Sequence, residues 1–280
     1  MRAAVLGSPI SHSLSPVLHR AAYDALGLSD WSYDAVEVGP ADLPGFLAGL
    51  GDDWAGLSLT MPLKMAVLPL LTERSALVDV TGAANTVLLG DGGRRGENTD
   101  VAGIVAALRE VGVDGCRRAT VIGTGATAAS ALAALHELGA GTVRVLGRSP
   151  ERARTLQPVA DALGLQLQAG GLDLPLLQDD WAQVIVSTVP AGALDTFAER
   201  YAPGPQAPPL LDVVYAPWPT PLAAAHLRAG TVVVGGQAML LHQAARQVEL
   251  MTGRTAPLAA MRAALPAPAQ ADAPARRWGQ

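Results

Sequence analysis

Several short stretches of the chain carry side chains able to do chemistry. In Ala-Thr-Val-Ile-Gly-Thr-Gly-Ala-Thr-Ala-Ala-Ser (residues 119–130), Gly123, Gly125, Ala126 and Ala128 keep the turn small. A turn of that kind lets a backbone approach a pyrophosphate at a helix N-terminus. A glycine-rich turn without a ligand is the competing reading, and a preceding strand and following helix are the context that favours the nucleotide. One strand later, Arg148, Ser149 and Arg152 occupy Leu-Gly-Arg-Ser-Pro-Glu-Arg (146–152), with no acid at the strand tip. A carboxylate there reads a free ribose 2′-hydroxyl, whereas guanidinium groups pair with a 2′-phosphate, so Arg148 points to NADP. Ser149 can add a hydrogen bond, and Arg152, a helical turn on, is either a second cation or part of a solvated face. Near the N-terminus, Ser13 and Ser15 precede a helix opened by Pro16. Their hydroxyls and the helix amides suit a carboxylate, although Ser15 also stands where an N-cap belongs; Ser13 has no such structural job. Lys64 falls in the first turn of a helix opened by Pro62, a cation at the positive end of a helix dipole. That local conflict marks either a functional lysine or a solvated surface one. Asp100 heads another helix as N-cap or first-turn acid.

These residues need elements to hold them. Apolar runs predict a β-α-β-α-β order over strand 2–7, a helix to about 27, strand 31–38, helix 41–50 and strand 54–60. A hairpin follows, with strand 87–89, a turn at Asp91-Gly92-Gly93 and a return strand reaching Asp100. The next helix carries Val101, Ile104, Val105, Leu108 and Val111 at the spacing of one buried stripe. Beyond residue 119, strands at 119–122, 142–147, 183–188, 209–215 and 231–235 alternate with helices, and an amphipathic one follows the Gly-rich turn. That alternation means a parallel sheet. The fold class is therefore α/β, in two domains, of which the second is a Rossmann-type dinucleotide-binding domain.

Bulk composition narrows the function. With half its residues apolar, the 280-residue chain can bury two modest cores. A formal charge of -5 and no Lys/Arg block argue against a nucleic-acid surface. Cys116, the single cysteine, makes no intrachain disulfide and fits a reducing cytoplasm; the histidines show no ligand spacing, so no metal is expected. No apolar run approaches the roughly 18 residues of a membrane span. A soluble cytoplasmic protein with a small-molecule partner, monomeric or homodimeric, is expected. The segment 266–280 is Pro/Ala-rich without periodicity and reads as a mobile tail.

Four motifs stand in the order and spacing of the shikimate dehydrogenase family: Gly-Ser-Pro-Ile-Ser-His-Ser-Leu-Ser-Pro (7–16), Ser-Leu-Thr-Met-Pro-Leu-Lys (58–64), Gly-Ala-Ala-Asn-Thr (82–86) and Asn-Thr-Asp (98–100). The chain resembles that family from Gly7 to about Gly253, and two later motifs, Asp-x-x-Tyr-x-Pro-x-x-Thr-x-Leu (212–222) and Gly-x-x-Met-Leu-x-x-Gln-Ala (236–244), extend the likeness. The resemblance implies NADPH-dependent reduction of 3-dehydroshikimate to shikimate in aromatic amino-acid (chorismate) biosynthesis. It implies that Ser13 and Ser15 hold the substrate carboxylate, with Thr60 in the same pocket. Lys64 and Asp100 form the catalytic pair, Asn85 and Asp100 meet ring hydroxyls, and Tyr215 and Gln243 line the substrate cleft. Gly236 and Met239 lie by the nicotinamide. The implied domains are 1–100 for substrate, joined by a C-terminal helical segment over 237–265, and 101–236 for NADP. Ser58 and Gly147 stand where the family usually has Asn, and Ser187-Thr188-Val189-Pro190 departs from its commoner Asn-containing loop. Alternatives are a relative acting on quinate or an aminated analogue, or a ligand sensor that kept the pocket and lost the chemistry. The presence of both Lys64 and Asp100 disfavours the sensor.

Overall fold

The computed structural model describes residues 1–90, 93–178 and 181–267. Two six-stranded sheets organise the chain. The first is built by β1 (Arg2–Gly7), α1 (Ser15–Ala25), β2 (Ser32–Glu37), α2 (Leu43–Ala48), β3 (Trp54–Leu59), the one-turn α3 (Leu63–Ala66), β4 (Glu73–Arg74), α4 (Ala76–Thr81), β5 (Thr86–Gly90) and β6 (Gly93–Glu97). Its order is β2-β1-β3-β5-β6-β4. Strands β1, β2 and β3 are parallel, and β5 turns back antiparallel to both β3 and β6. Every residue of β3 is buried, as a central strand covered on both faces requires. The expected hairpin exists as β5 and β6; Asp91 and Gly92 of its turn lie outside the described residues.

The second sheet begins after α5 (Asp100–Arg109). It comprises β7 (Arg118–Ile122), α6 (Ala126–Glu137), β8 (Thr142–Gly147), α7 (Pro150–Arg154), α8 (Gln157–Leu163), β9 (Gln166–Gly171), α9 (Leu174–Gln178), β10 (Val184–Ser187), α10 (Asp195–Ala198), β11 (Leu210–Asp212), α11 (Pro221–Arg228) and β12 (Val233–Gly235). All its pairings are parallel in the order β12-β11-β10-β7-β8-β9, the doubly wound arrangement in which ligands bind at the carboxyl ends of the strands. Strand β9 was not expected: its Gln-Leu-Gln-Ala-Gly-Gly sequence alternates polar residues on a sheet edge and shows no apolar run.

The chain then returns through α12 (Gly236–Thr252), which ends at left-handed Gly253, and α13 (Leu258–Ala264), so the single segment expected over 237–265 is two helices. Helix α12 packs on α5 and on α1, with Leu241, Ala244 and Val248 meeting Leu18 and Ala22. The crossing with α5 is close at Gly103, where a Cβ would lie 2.8 Å from the Met239 carbonyl and 2.9 Å from Gln243 Cβ. Helix α5 itself buries Val101, Ile104, Val105 and Leu108, but Val111 lies past its last turn and is 37% exposed, so the stripe stops short of it. Helix α6 is not amphipathic: residues 128–135 are all buried, because small alanines let it sit between the sheet and its neighbouring helices. Of the expected tail, Pro266 and Ala267 are described and 268–280 lie outside the described residues.

Candidate active site

The loops after β1, β3, β7, β8 and β11 converge on the cleft between the two sheets, and two cavities meet there. The larger, about 670 Å³, runs along the Gly-rich turn and β8 and is walled by Gly123, Gly125, Ala126, Gly147, Arg148 and Thr188. The smaller, about 320 Å³, gathers the polar side chains of Ser13, Ser15, Ser58, Thr60, Asn85, Asp100, Tyr215 and Gln243 on a partly apolar wall that includes Ile10, Val213 and Leu240. Thr60, Lys64 and Thr127 border both.

Lys64 stands at that junction because the fully buried β3 ends at Leu59 and the chain turns through Thr60 almost at once into α3. This helix has a single turn and no developed dipole, so the expected conflict of charge with helix is small. The ammonium is instead neutralised by Asp100, whose Oδ2 lies 2.5 Å from Lys64 Nζ. Asp100 opens α5 without capping it, and its side chain is only 5% exposed. Its other oxygen, Oδ1, accepts from Asn85 Nδ2 at 2.8 Å, and its own backbone N–H donates to Asn98 Oδ1 at 3.1 Å. Its carboxylate is turned to Lys64 and Asn85 rather than back to the amides of α5.

Asn85 is held from every side. Its Oδ1 accepts from the Thr99 backbone N–H at 2.8 Å and from the Thr86 hydroxyl at 2.9 Å. Its Nδ2 faces Thr99 Oγ1 at 2.9 Å and Gln243 Oε1 at 3.2 Å besides Asp100. With two hydrogens for three acceptors, the long contact to Gln243 is the one a substrate hydroxyl can replace.

The loop after β1 corrects the capping expectation. Helix α1 starts at Ser15, and it is Ser13 Oγ that accepts the Ser15 N–H, at 3.3 Å. Leu14 is the N-cap residue and no side chain caps the helix, so neither serine does that job; the Ser15 side chain is buried beside the smaller cavity. Across the cleft, the Tyr215 hydroxyl donates to the His12 carbonyl at 3.4 Å, tying the β11 loop to the β1 loop. Burial raises the Tyr215 phenol above its ordinary range. The Asp212 that opens this motif is a scaffold: Thr220 Oγ1 donates to it at 2.7 Å and the Val214 N–H at 3.2 Å.

The glycines of the turn differ in what demands them. Gly123 has φ of +120°, and a Cβ there would lie 2.2 Å from Thr188 Oγ1, so the turn needs glycine for its own geometry. At Gly125 a Cβ would meet nothing within 4 Å; the space belongs to the cavity, and the first amides of α6 have no side-chain cap. An uncapped helix start facing a cavity fits the pyrophosphate of a dinucleotide. Ala128 packs in the core beneath the turn. Arg148 is exposed on the cavity wall. Ser149 caps α7, accepting the Arg152 N–H at 3.4 Å, and neither Ser149 nor Arg152 walls the cavity. Gly236 and Met239 border the smaller cavity rather than the larger one.

Buried polar residues that local reading passed over complete the site: Tyr33, Thr86, Asn98 and Gln247. Gln247 lies one helical turn beyond Gln243 on the same face of α12, and that i, i+4 pair of amides on an otherwise apolar face was the available signal. Among the described residues no group of three His, Cys, Asp or Glu can hold a metal, and no helix is long and apolar enough to cross a membrane.

Residues 5–87 match the family model for the shikimate dehydrogenase substrate binding domain, and residues 238–265 that for the shikimate 5′-dehydrogenase C-terminal domain. The crystal structure of Mycobacterium tuberculosis shikimate dehydrogenase superposes with a TM-score of 0.86 at 44% identity, covering 94% of this chain and 98% of that one. The Thermus thermophilus enzyme solved in complex with NADP(H) and shikimate gives 0.82 at 33% identity, covering 94% and 98%. The shikimate dehydrogenase (NADP(+)) of Methanothermobacter thermautotrophicus is 35% identical over 93% of this chain and 94% of its own length. With relatives of that identity spanning nearly its whole length and a cleft built from the family's motifs, the chain belongs to the shikimate dehydrogenase family.

Proposed function

We propose that this protein is an NADP-dependent shikimate dehydrogenase, an oxidoreductase that reduces 3-dehydroshikimate to shikimate with NADPH and runs the reverse reaction with NADP. The observation that carries the reading is the Lys64–Asp100 pair at the junction of a hydroxyl- and amide-walled cavity with a glycine-walled one. Residues 1 to about 100, with α12 and α13, serve as the substrate domain, and about 101–236 as the nucleotide domain. The open space at Gly125, the uncapped start of α6 and Arg148 on the rim fit NADP, which when bound supplies or takes the hydride.

The protein's part is to bind, orient and stabilise charge. Reduction builds negative charge on the ketone oxygen, and the Lys64 ammonium stabilises it in a partly enclosed site. Asp100 fixes where that ammonium sits and accepts from a ring hydroxyl. Ser13 and Ser15, with the amides opening α1, hold the substrate carboxylate, and Tyr215 closes on them from the other side of the cleft. Asn85, Thr60 and Gln243 meet the remaining ring oxygens. Arg148 pairs with the 2′-phosphate, with Ser149 and Arg152 behind it. Gly236 and Met239 form the wall where substrate and nicotinamide meet.

The test is a grid of substrates and cofactors with purified protein. NADPH should be consumed on addition of 3-dehydroshikimate much faster than NADH, and much faster than with 3-dehydroquinate. An absence of turnover in every combination would refute the enzyme reading.

A further inference from the structure

Behind Asp100 the hydrogen bonding continues as a single directed chain. The Tyr33 hydroxyl donates to Ser58 Oγ at 2.6 Å, and Ser58 donates to Gln247 Oε1 at 2.8 Å. Gln247 Nε2 donates to Thr86 Oγ1 at 2.8 Å, Thr86 to Asn85 Oδ1 at 2.9 Å, and Asn85 Nδ2 to Asp100 Oδ1 at 2.8 Å. All six residues are buried, and they come from β2, β3, α12, β5, the turn before β5 and α5.

Two main-chain groups of fixed polarity set the direction. The Asn85 carbonyl can only accept, and it does so from Gln247 Nε2 at 3.2 Å. The Gln247 amide nitrogen is therefore on that side and its oxygen faces Ser58, which must donate to it and accept from Tyr33. The Thr99 N–H can only donate, and it points at Asn85 Oδ1. The Asn85 NH2 is therefore turned to Asp100. Between the two amides stands Thr86, whose single hydroxyl hydrogen is committed to Asn85 because its acceptor side is taken by Gln247. Turning Asn85 over would set its NH2 against the Thr99 N–H and its oxygen against the Asp100 carboxylate, and turning Gln247 over would set its oxygen against the Asn85 carbonyl, which a buried site penalises. Bonds in such a chain polarise one another in the same sense, strengthening the grip on Asp100 Oδ1.

We propose that Thr86 and Gln247 are positioning residues: acting through Asn85, they hold Asp100 so that its second oxygen stays on Lys64. Neither borders the cavities, so neither touches substrate or cofactor directly. The inference rests on the reading of Lys64 and Asp100 as the reacting pair of a shikimate dehydrogenase.

The test compares Thr86→Val, which keeps shape and loses the hydroxyl, with Thr86→Ser, which keeps the hydroxyl and loses a methyl. Shikimate oxidation by NADP in T86V should show kcat lower by about tenfold or more, while KM for shikimate changes less than about threefold. T86S should stay within about threefold of wild type in kcat. Gln247→Met, similar in volume, should reproduce the T86V loss, and the double variant should be no worse than the weaker single one because both cut one chain. Equal kcat in T86V and T86S, or a loss confined to KM, would overturn the proposal. Should T86V not fold, Q247M decides alone: kcat equal to wild type overturns it. A wild-type protein without turnover brings down the functional reading, and this inference with it, whereas an active wild type with indifferent variants brings down the inference only.

Discussion

Lys64→Ala separates a charge-stabilising lysine from one that only binds. In the folded protein Lys64 does two things at once: it neutralises Asp100, 2.5 Å away, and it borders both cavities. Removing it leaves Asp100 Oδ2 without its cation, but Oδ1 keeps Asn85, and the cavity of about 320 Å³ has ample room for a water to replace the ammonium. The stability loss is therefore expected below the roughly 3–5 kcal/mol of a dry broken ion pair, at about 2 kcal/mol. The loss at the transition state is larger. No water in that position carries a full positive charge toward a developing alkoxide, and deleting one preorganised donor to such an oxygen costs about 2.7–4 kcal/mol, or roughly 10²–10³ in kcat. Steady-state oxidation of shikimate by NADP, followed by NADPH absorbance, should show that fall in kcat with KM for shikimate changed by less than about fivefold. Chemical denaturation of the same variant should show a shift no larger than about 3 kcal/mol. A raised KM with an unchanged kcat would refute the reasoning and make Lys64 a binding residue only.

Arg148→Leu should lower kcat/KM for NADP by about 10- to 150-fold, the loss of charge-assisted bonds worth about 1.5–3 kcal/mol, and leave NAD almost unaffected; parallel losses with both cofactors would mean that Arg148 does not read the 2′-phosphate. Acid stability turns on His19, whose Nδ1–H donates to the Ser15 carbonyl at 2.9 Å while Nε2 is buried without a partner and the ring stacks on Tyr33 at 3.9 Å. Burial lowers its pKa to about 4 from 6.5, so between those values the unfolded chain binds the proton and the folded one does not. Stability should consequently fall as pH drops through that window, by about 2 kcal/mol between pH 7 and pH 5 from this residue. Urea unfolding at both pH values, with H19F showing a smaller difference, checks it; equal pH dependence in the two proteins would count against the assignment.

What could be read from the chain follows the range of the forces involved. Strands β1, β3, β7, β8 and β10 are covered on both faces and show as apolar runs; β9, at an edge with Gln166 and Gln168 outward, carries no such mark. The Gly-rich turn was legible because backbone geometry alone demands Gly123, whatever the cavity holds. The chemistry behind Asp100 was not, because its links join residues far apart: Ser58 and Gln247 are 189 positions apart, and nothing local to either names the other as its partner. Local rules stop short at the site itself. Asp100, read as an N-cap or first-turn acid, lies in the first turn of α5 with its carboxylate on Lys64, and Ser15, which stood where an N-cap belongs, is the first residue of an α1 that no side chain caps. For Asp100 the partner that takes the carboxylate, Lys64, lies 36 positions away, whereas the Ser15 side chain leaves the helix start to border the cavity itself. Those displacements converge on the junction of the two cavities, so the failures of local reading mark the cleft as sharply as the family motifs do.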